Sequence, residues 1–156
     1  MKVHLCAVGR IRPGPERSLI DDYAARFDRA GRPLSLGPLA EHEVETRKTS
    51  GMEAEADALA RAIPDGAVIC ALDERGKTLS SPEFADVLAR WRDEGRPAAA
   101  FLIGGADGLH PDLRKRADAR LSLGRMVWPH MLARVMLSEQ LYRAVSILSG
   151  APYHRE

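Results

Sequence analysis

Ala98-Ala99-Ala100-Phe101-Leu102-Ile103-Gly104-Gly105-Ala106-Asp107-Gly108 is the stretch that decides the fold. Six apolar residues in a row, with no polar residue alternating among them, predict a short strand buried on both faces. The run ends directly in a loop holding three glycines among five residues. Missing side chains there let a ligand approach the backbone, and they also permit positive φ, so a tight turn and a ligand contact are both open readings.

Residues 3–9 and 67–72 are apolar runs of the same kind, one ended by Gly9 and the other by Asp73. Residues 34–39 are read as a further strand, interrupted by Gly37 and Pro38, and residues 41–50 and 74–77 as loops. Helices fill the intervals. Leu19, Ile20, Tyr23, Ala24 and Phe27 recur at helical spacing over residues 16–30. Ser50 with Glu53 reads as a capping box for a helix to residue 63, and Ser80 or Ser81 with Pro82 and Glu83 opens another whose inner face is Phe84, Val87, Leu88 and Trp91. Residues 113–119 follow as a short helix with His110 or Asp112 near its cap. Strands that alternate with helices and are apolar throughout imply an α/β fold, a single-domain parallel sheet flanked by helices.

Composition narrows the class. A chain of 156 residues suits one domain, and its 45% hydrophobic and 29% charged residues are those of an ordinary globular protein. No apolar run approaches the ~20 residues of a membrane span. Residues 1–10 lack a signal-peptide pattern, so the expected location is the cytoplasm. Cys6 and Cys70 sit inside apolar runs without C-x-x-C spacing and are expected to be buried free thiols, while His4, His42, His110, His130 and His154 are too scattered for a metal site. The net charge of +1 divides unevenly, +2 over residues 1–50, −4 over 51–100 and +3 over 101–156. That is far from the basic balance of proteins that hold nucleic acid by charge alone.

In open parallel sheets ligands bind beyond the carboxyl ends of the strands. The loops at residues 72–77 and 104–111, and the segment after Leu121, occupy that position. None forms a P-loop or a dinucleotide fingerprint. Residues 130–149 follow as a helix apolar nearly all round, with Met131, Val135, Tyr142 and Val145 on one stripe, which predicts burial against both the sheet and a second subunit. Its polar residues are Arg134, Ser138, Glu139 and Arg143. Glu139 and Arg143 are spaced for a helical ion pair, with positioning of a ligand or base as the other reading. His130 is read as a capping or packing group in preference to a catalyst. Tyr153, His154 and Arg155 either form an idle tail or meet RNA, by stacking on an unpaired base and by binding phosphate.

Phe101-Leu102-Ile103-Gly104-Gly105-x-x-Gly108, Leu121-Ser122-Leu123, Pro129-His130-x-x-x-Arg134-Val135, Glu139-Gln140-Leu141-Tyr142-Arg143-Ala144 and the terminal Pro152-Tyr153-His154-Arg155-Glu156 closely resemble the RlmH family over essentially the whole chain. This is the family of large-subunit rRNA pseudouridine N3-methyltransferases in the SPOUT, or α/β-knot, class. The resemblance implies a C-terminal trefoil knot, a homodimer, and S-adenosyl-L-methionine bound by Leu72, by Gly105 and by Leu123, Gly124, Arg125, Met126, Val127 and Trp128. It implies a pseudouridine of 23S rRNA in the assembled ribosome as substrate, with no metal and no membrane. Tyr153, His154, Arg155 and Glu139 are the expected catalytic set, the tail of one subunit closing over the pocket of the other. Ala106-Asp107 departs from the Pro-Glu expected in the glycine loop, and Gly124-Arg125-Met126 varies within the cofactor loop. A ribosome-bound module without turnover and a flavodoxin-like nucleotide enzyme are the competing classes.

Overall fold

The computed structural model describes residues 1–47 and 50–155; Lys48 and Thr49 of the expected 41–50 loop, and Glu156 of the expected tail, lie outside the described residues. Five parallel strands form one sheet in the order β2-β1-β4-β3-β5. They are β1 (Lys2–Val8), β2 (Leu39–Val44), β3 (Val68–Thr78), β4 (Ala98–Ile103) and β5 (Ala119–Ser122). The helices are α1 (Pro15–Gly31), α2 (Gly51–Ala62), α3 (Ser81–Asp93), α4 (Pro111–Arg116) and α5 (His130–Ser149). Helices cover both faces. Phe27 of α1, Phe84, Leu88 and Trp91 of α3 and Leu137 and Leu141 of α5 share one core with Phe101, while Leu59 and Leu113 pack with Cys6 and Leu102 on the other face. Every residue of β4 is buried, as its unbroken apolar run requires. None of the described helices is long and apolar enough to cross a membrane.

The second strand is not at residues 34–39. Arg32–Leu34 forms a 3-10 turn closed by Ser35 at φ 57, and β2 begins only at Leu39, inside the segment expected to be loop. The misreading has a physical origin. This strand lies at the sheet edge, and Leu39-Ala40-Glu41-His42-Glu43-Val44 is half-buried throughout, with no apolar run. Its carboxylates are held by arginines from two helices. Arg17 of α1 donates to both Glu41 oxygens at 2.7 Å, and Arg134 of α5 donates to Glu43 at 2.7 Å.

Helix starts show the same dependence on context. Ser80 has extended backbone (φ −69, ψ 162) and forms a reciprocal capping box with Glu83. Ser50 is helical (φ −82, ψ −15), so its hydroxyl is not aimed at the first turn and the expected box with Glu53 does not form. The expected 74–77 loop belongs to β3, where Leu72 and Lys77 both pair with Leu121 and the residues between them bulge out. The helix expected over 113–119 spans Pro111–Arg116, and its last expected residue, Ala119, opens β5.

Helix α5 is the longest element, 20 residues or about 30 Å. It is not buried all round. Arg134, Leu137, Ser138, Leu141, Ala144 and Val145 form the buried stripe, whereas Met131 and Leu132 are each 40% exposed and Val135 and Tyr142 half-buried. Of the expected stripe only Val145 is fully buried, because the sheet meets the flank that carries Arg134. That arginine has no exposed surface. Its Nη2 donates to the carbonyls of Gly9 and Val8 at 2.9 and 3.3 Å, and its Nη1 reaches Glu43 and Glu41.

Replacing Arg134 by Met takes its guanidinium from the Val8 and Gly9 carbonyls and leaves Glu43 with the Ile11 N–H and Glu41 with Arg17. Urea unfolding of Arg134→Met should show a loss of about 3–5 kcal/mol, and a loss under ~1 kcal/mol would show that the bonds are dispensable. Glu43 gives a pH signature. Burial opposes its charge, yet the Ile11 N–H and Arg134 together hold its carboxyl below the usual glutamate range. Its contribution is therefore present at neutral pH and lost as pH falls through that range and below, from about 4.3 downward. Acid unfolding of Glu43→Gln should be shallower than wild type across that window, and identical curves would refute the assignment.

Candidate functional site

The carboxyl ends of β3, β4 and β5 open onto one cleft of about 520 Å³. Leu72 and Asp73 arrive from β3, Ile103 through Leu109 from β4, and Leu121, Leu123, Gly124, Met126, Val127 and Trp128 from β5 and its loop. Met52 of α2 and His130 of α5 complete its rim. Each lining loop is fixed by its own hydrogen bonds. Ser122 Oγ accepts the Gly124 N–H at 3.2 Å, and Trp128 Nε1 donates to the Leu123 carbonyl at 3.3 Å, closing the 123–128 loop on itself.

The glycine loop is a tight turn. Gly108 N–H donates to the Gly105 carbonyl at 3.0 Å, with Gly108 at φ 78. Gly104 is required by close approach, since a Cβ there would lie 2.4 Å from the Gly108 carbonyl carbon. The turn reading therefore holds, and it leaves the Gly105 backbone lining the cleft. His110 caps α4 by accepting the Asp112 N–H on Nδ1 at 3.2 Å.

Of the residues expected to hold a cofactor, Leu72, Gly105, Leu123, Gly124, Met126, Val127 and Trp128 line this one cleft. Arg125 is exposed and does not line it. Met126 and Val127 are 74% and 85% exposed, an apolar lip on the cleft mouth. His130 is the first residue of α5, makes no side-chain cap bond and stands exposed at the rim, so neither the capping nor the packing role applies. Sequence reasoning missed Asp73, Arg114 and Met52. For Asp73 a signal existed, because it is the first polar residue after the apolar run of β3.

The expected catalytic residues form a second cluster. Gly150 ends α5 in a left-handed conformation (φ 72), and the chain turns back so that Tyr153 lies on Tyr142 with ring centroids 4.6 Å apart. Tyr153 donates its hydroxyl to Glu139 at 2.9 Å, and Arg143 donates to the same carboxylate through Nε at 3.0 Å and Nη2 at 2.6 Å. Gln140 donates to the other oxygen at 3.0 Å. The helical ion pair expected between Glu139 and Arg143 is thus formed, and it is the anchor of the tail. Burial first, then the bond to Glu139, raises the Tyr153 pKa well above the ordinary tyrosine value and keeps it a neutral donor.

Arg143 Nη1 also lies 3.2 Å from His154 Nδ1. A guanidinium only donates, so Nδ1 is the acceptor and Nε2 carries the imidazole proton. Arg155 is exposed. None of Glu139, Tyr153, His154 and Arg155 lines the strand-end cleft of its own chain. Glu139 stands nine residues beyond His130, roughly 14 Å along the helix, and lines a separate groove with Leu19, Tyr23 and Gln140. The structure brings Tyr153 and His154 to Glu139 and Arg143 and leaves Arg155 exposed; sequence reasoning missed Tyr23, whose ring lies 6.2 Å from that of Tyr142. Cys6 and Cys70 are buried free thiols, both pushed by burial up to about 12. Among the described residues no three His, Cys, Asp or Glu side chains group as metal ligands.

Comparison with known proteins places this arrangement. The family model described as predicted SPOUT methyltransferase matches residues 1–154. The chain is 70% identical over 155 residues to the ribosomal RNA large subunit methyltransferase H of Dinoroseobacter shibae, and 63% identical over 155 residues to that of a Ruegeria species, covering 99% of this chain and of each relative. Among solved structures, a probable methylase family protein from Haemophilus influenzae shares the fold at a TM-score of 0.53 and 12% identity, over 99% of this chain and 70% of that one. The cleft and tail described above therefore belong to a SPOUT methyltransferase, and within that class the chain is a member of the RlmH family.

Proposed function

We propose that this protein uses S-adenosylmethionine to methylate N3 of a pseudouridine in 23S rRNA, acting as a homodimer on the assembled ribosome. The observation that carries the reading is the convergence of residues 72–73, 104–109 and 121–128 on one cleft at the strand ends. Membership of the RlmH family supports methyl transfer, and the names of the relatives support large-subunit rRNA as the substrate.

The residues present fit such a cofactor. Leu72, Met126 and Val127 offer apolar walls, and the glycine loop brings Gly104 and Gly105, without side chains, to the same cleft. Bound there, S-adenosylmethionine supplies an electrophilic methyl group. Leu72, Gly105 and the 123–128 loop would hold the donor, and such positioning is most of what a one-step displacement needs. The proton on N3 must leave, which calls for a base or for an electrostatic stabiliser of the resulting anion.

Glu139 and His154 are the candidates, and both are engaged in their own chain. Glu139 already accepts from Tyr153, Arg143 and Gln140, and His154 can accept only at Nδ1, which Arg143 occupies. Taking a proton therefore requires an exchange of partners, which an incoming RNA phosphate bound by Arg143 or Arg155 would drive. The separation of this cluster from its own cleft favours a second copy as the recipient. The half-exposed apolar residues Leu19, Met131 and Leu132 are the surface such a copy would cover.

Calorimetric titration should show binding of both S-adenosylmethionine and S-adenosylhomocysteine, and a protein ignoring both would lose the reading. Labelled methyl should pass to assembled ribosomes and not to free 23S rRNA, at N3 of one pseudouridine; binding without transfer would instead support a passive ribosome-associated module. Truncation after Pro152 should lower transfer by ~10²-fold or more while cofactor affinity stays unchanged. Unaltered transfer would remove the tail from catalysis.

A further inference from the structure

We infer that Asp73 is a ligand-binding residue of the strand-end cleft, its Oδ2 accepting a ribose hydroxyl of the methyl donor; this rests on the cofactor reading above and assigns the nucleoside contact within it. Asp73 follows Leu72 where the apolar part of β3 ends, and it lines the cleft beside Ile103 and Gly104. Its side chain is only 6% exposed. Oδ1 accepts the Arg75 N–H at 3.0 Å, which fixes the carboxylate's orientation. Oδ2 is buried and has no hydrogen-bond partner.

A buried carboxylate oxygen without a donor costs about 1–3 kcal/mol or more, so such atoms are rare unless a function uses them. The nearest cation is Arg114, whose Nη1 stands 3.9 Å from Oδ2, close enough to offset charge and too far to donate a hydrogen bond. What Oδ2 lacks is therefore a short-range donor, since a positive charge is already near. A ribose hydroxyl meets that need with a short O–H···O⁻ bond. The placement also suits it, because Asp73 stands where the buried part of β3 gives way to the bulge and there lines the cleft.

The test is calorimetric titration of S-adenosylhomocysteine and its 2′-deoxy and 3′-deoxy analogues against wild type, Asp73→Asn and Asp73→Ala, with thermal unfolding followed on each protein. Wild type should bind at least one deoxy analogue ~10-fold or more weakly than the parent, the range of a hydrogen bond to a charged group. Asp73→Asn keeps an oxygen for the Arg75 N–H. It should lose a similar factor for the parent and show little further loss for that analogue, as expected of two partners in one interaction. Wild type binding both deoxy analogues as tightly as the parent would overturn the inference, whether or not the variants fold. A variant less stable to heat yet unchanged in affinity would also overturn it, by making Asp73 an anchor for Arg114 and the bulge only. Wild type binding none of the compounds would take down the cofactor reading itself.

Discussion

The guanidinium of Arg134 is the constraint on which the arrangement depends. It is fully buried and spans the carbonyls at the end of β1 and the carboxylates of β2, so one side chain fixes α5 against the half of the sheet farthest from β5 in strand order. An arginine without solvent is tolerated only where its donors find acceptors, and breaking such a set costs far more than removing a surface pair. Its Nε, buried without an acceptor, shows that even here the match is incomplete. Arg17 extends the same network, binding Glu41 from α1 and bringing a second helix to the edge strand.

Fixing α5 fixes both functional regions, because it connects them. Its first turn follows the 123–128 loop and places His130 on the cleft rim, while its middle and second half carry Glu139 and Arg143, on which the tail folds back. The two regions are separated by nearly half the helix. A rigid helix holds them apart and does not bring them together, so chemistry that needs both must draw the second from elsewhere. The tail is held because Tyr153 packs against the Tyr142 ring, donates to Glu139 and is partly buried.

The strands that read most directly from sequence are those whose neighbours matter least to the reading. Central β4 is apolar at every position because helices cover both its faces, and its boundaries coincide with the run. The same rule fails at β2, where an edge position leaves Glu41 and Glu43 acceptable only because Arg17 and Arg134 arrive from residues far away in sequence. Ser50 and Ser80 carry the same capping pattern and differ in outcome, because the backbone angle that aims the hydroxyl is set by the chain entering the helix. At the site, the loops after β4 and β5 were legible, but the bulge of β3 was read as a loop and Asp73 was not singled out, since an acidic residue after an apolar run looks like any surface polar residue until its burial is known.

By itself the sequence determined the α/β class, the parallel sheet, the extent of α5, the loops after β4 and β5 and, through its motifs, the family. Those follow from local periodicity, runs of one chemical type and short-range signatures, all of which are properties of neighbouring residues. Tertiary structure alone decided the strand order, the place of β2, the buried role of Arg134, the occupancy of Glu139 and His154 by Arg143, and the unpartnered oxygen of Asp73. Each of these depends on which groups meet across long stretches of chain, and on whether a polar atom, once removed from water, finds a partner there.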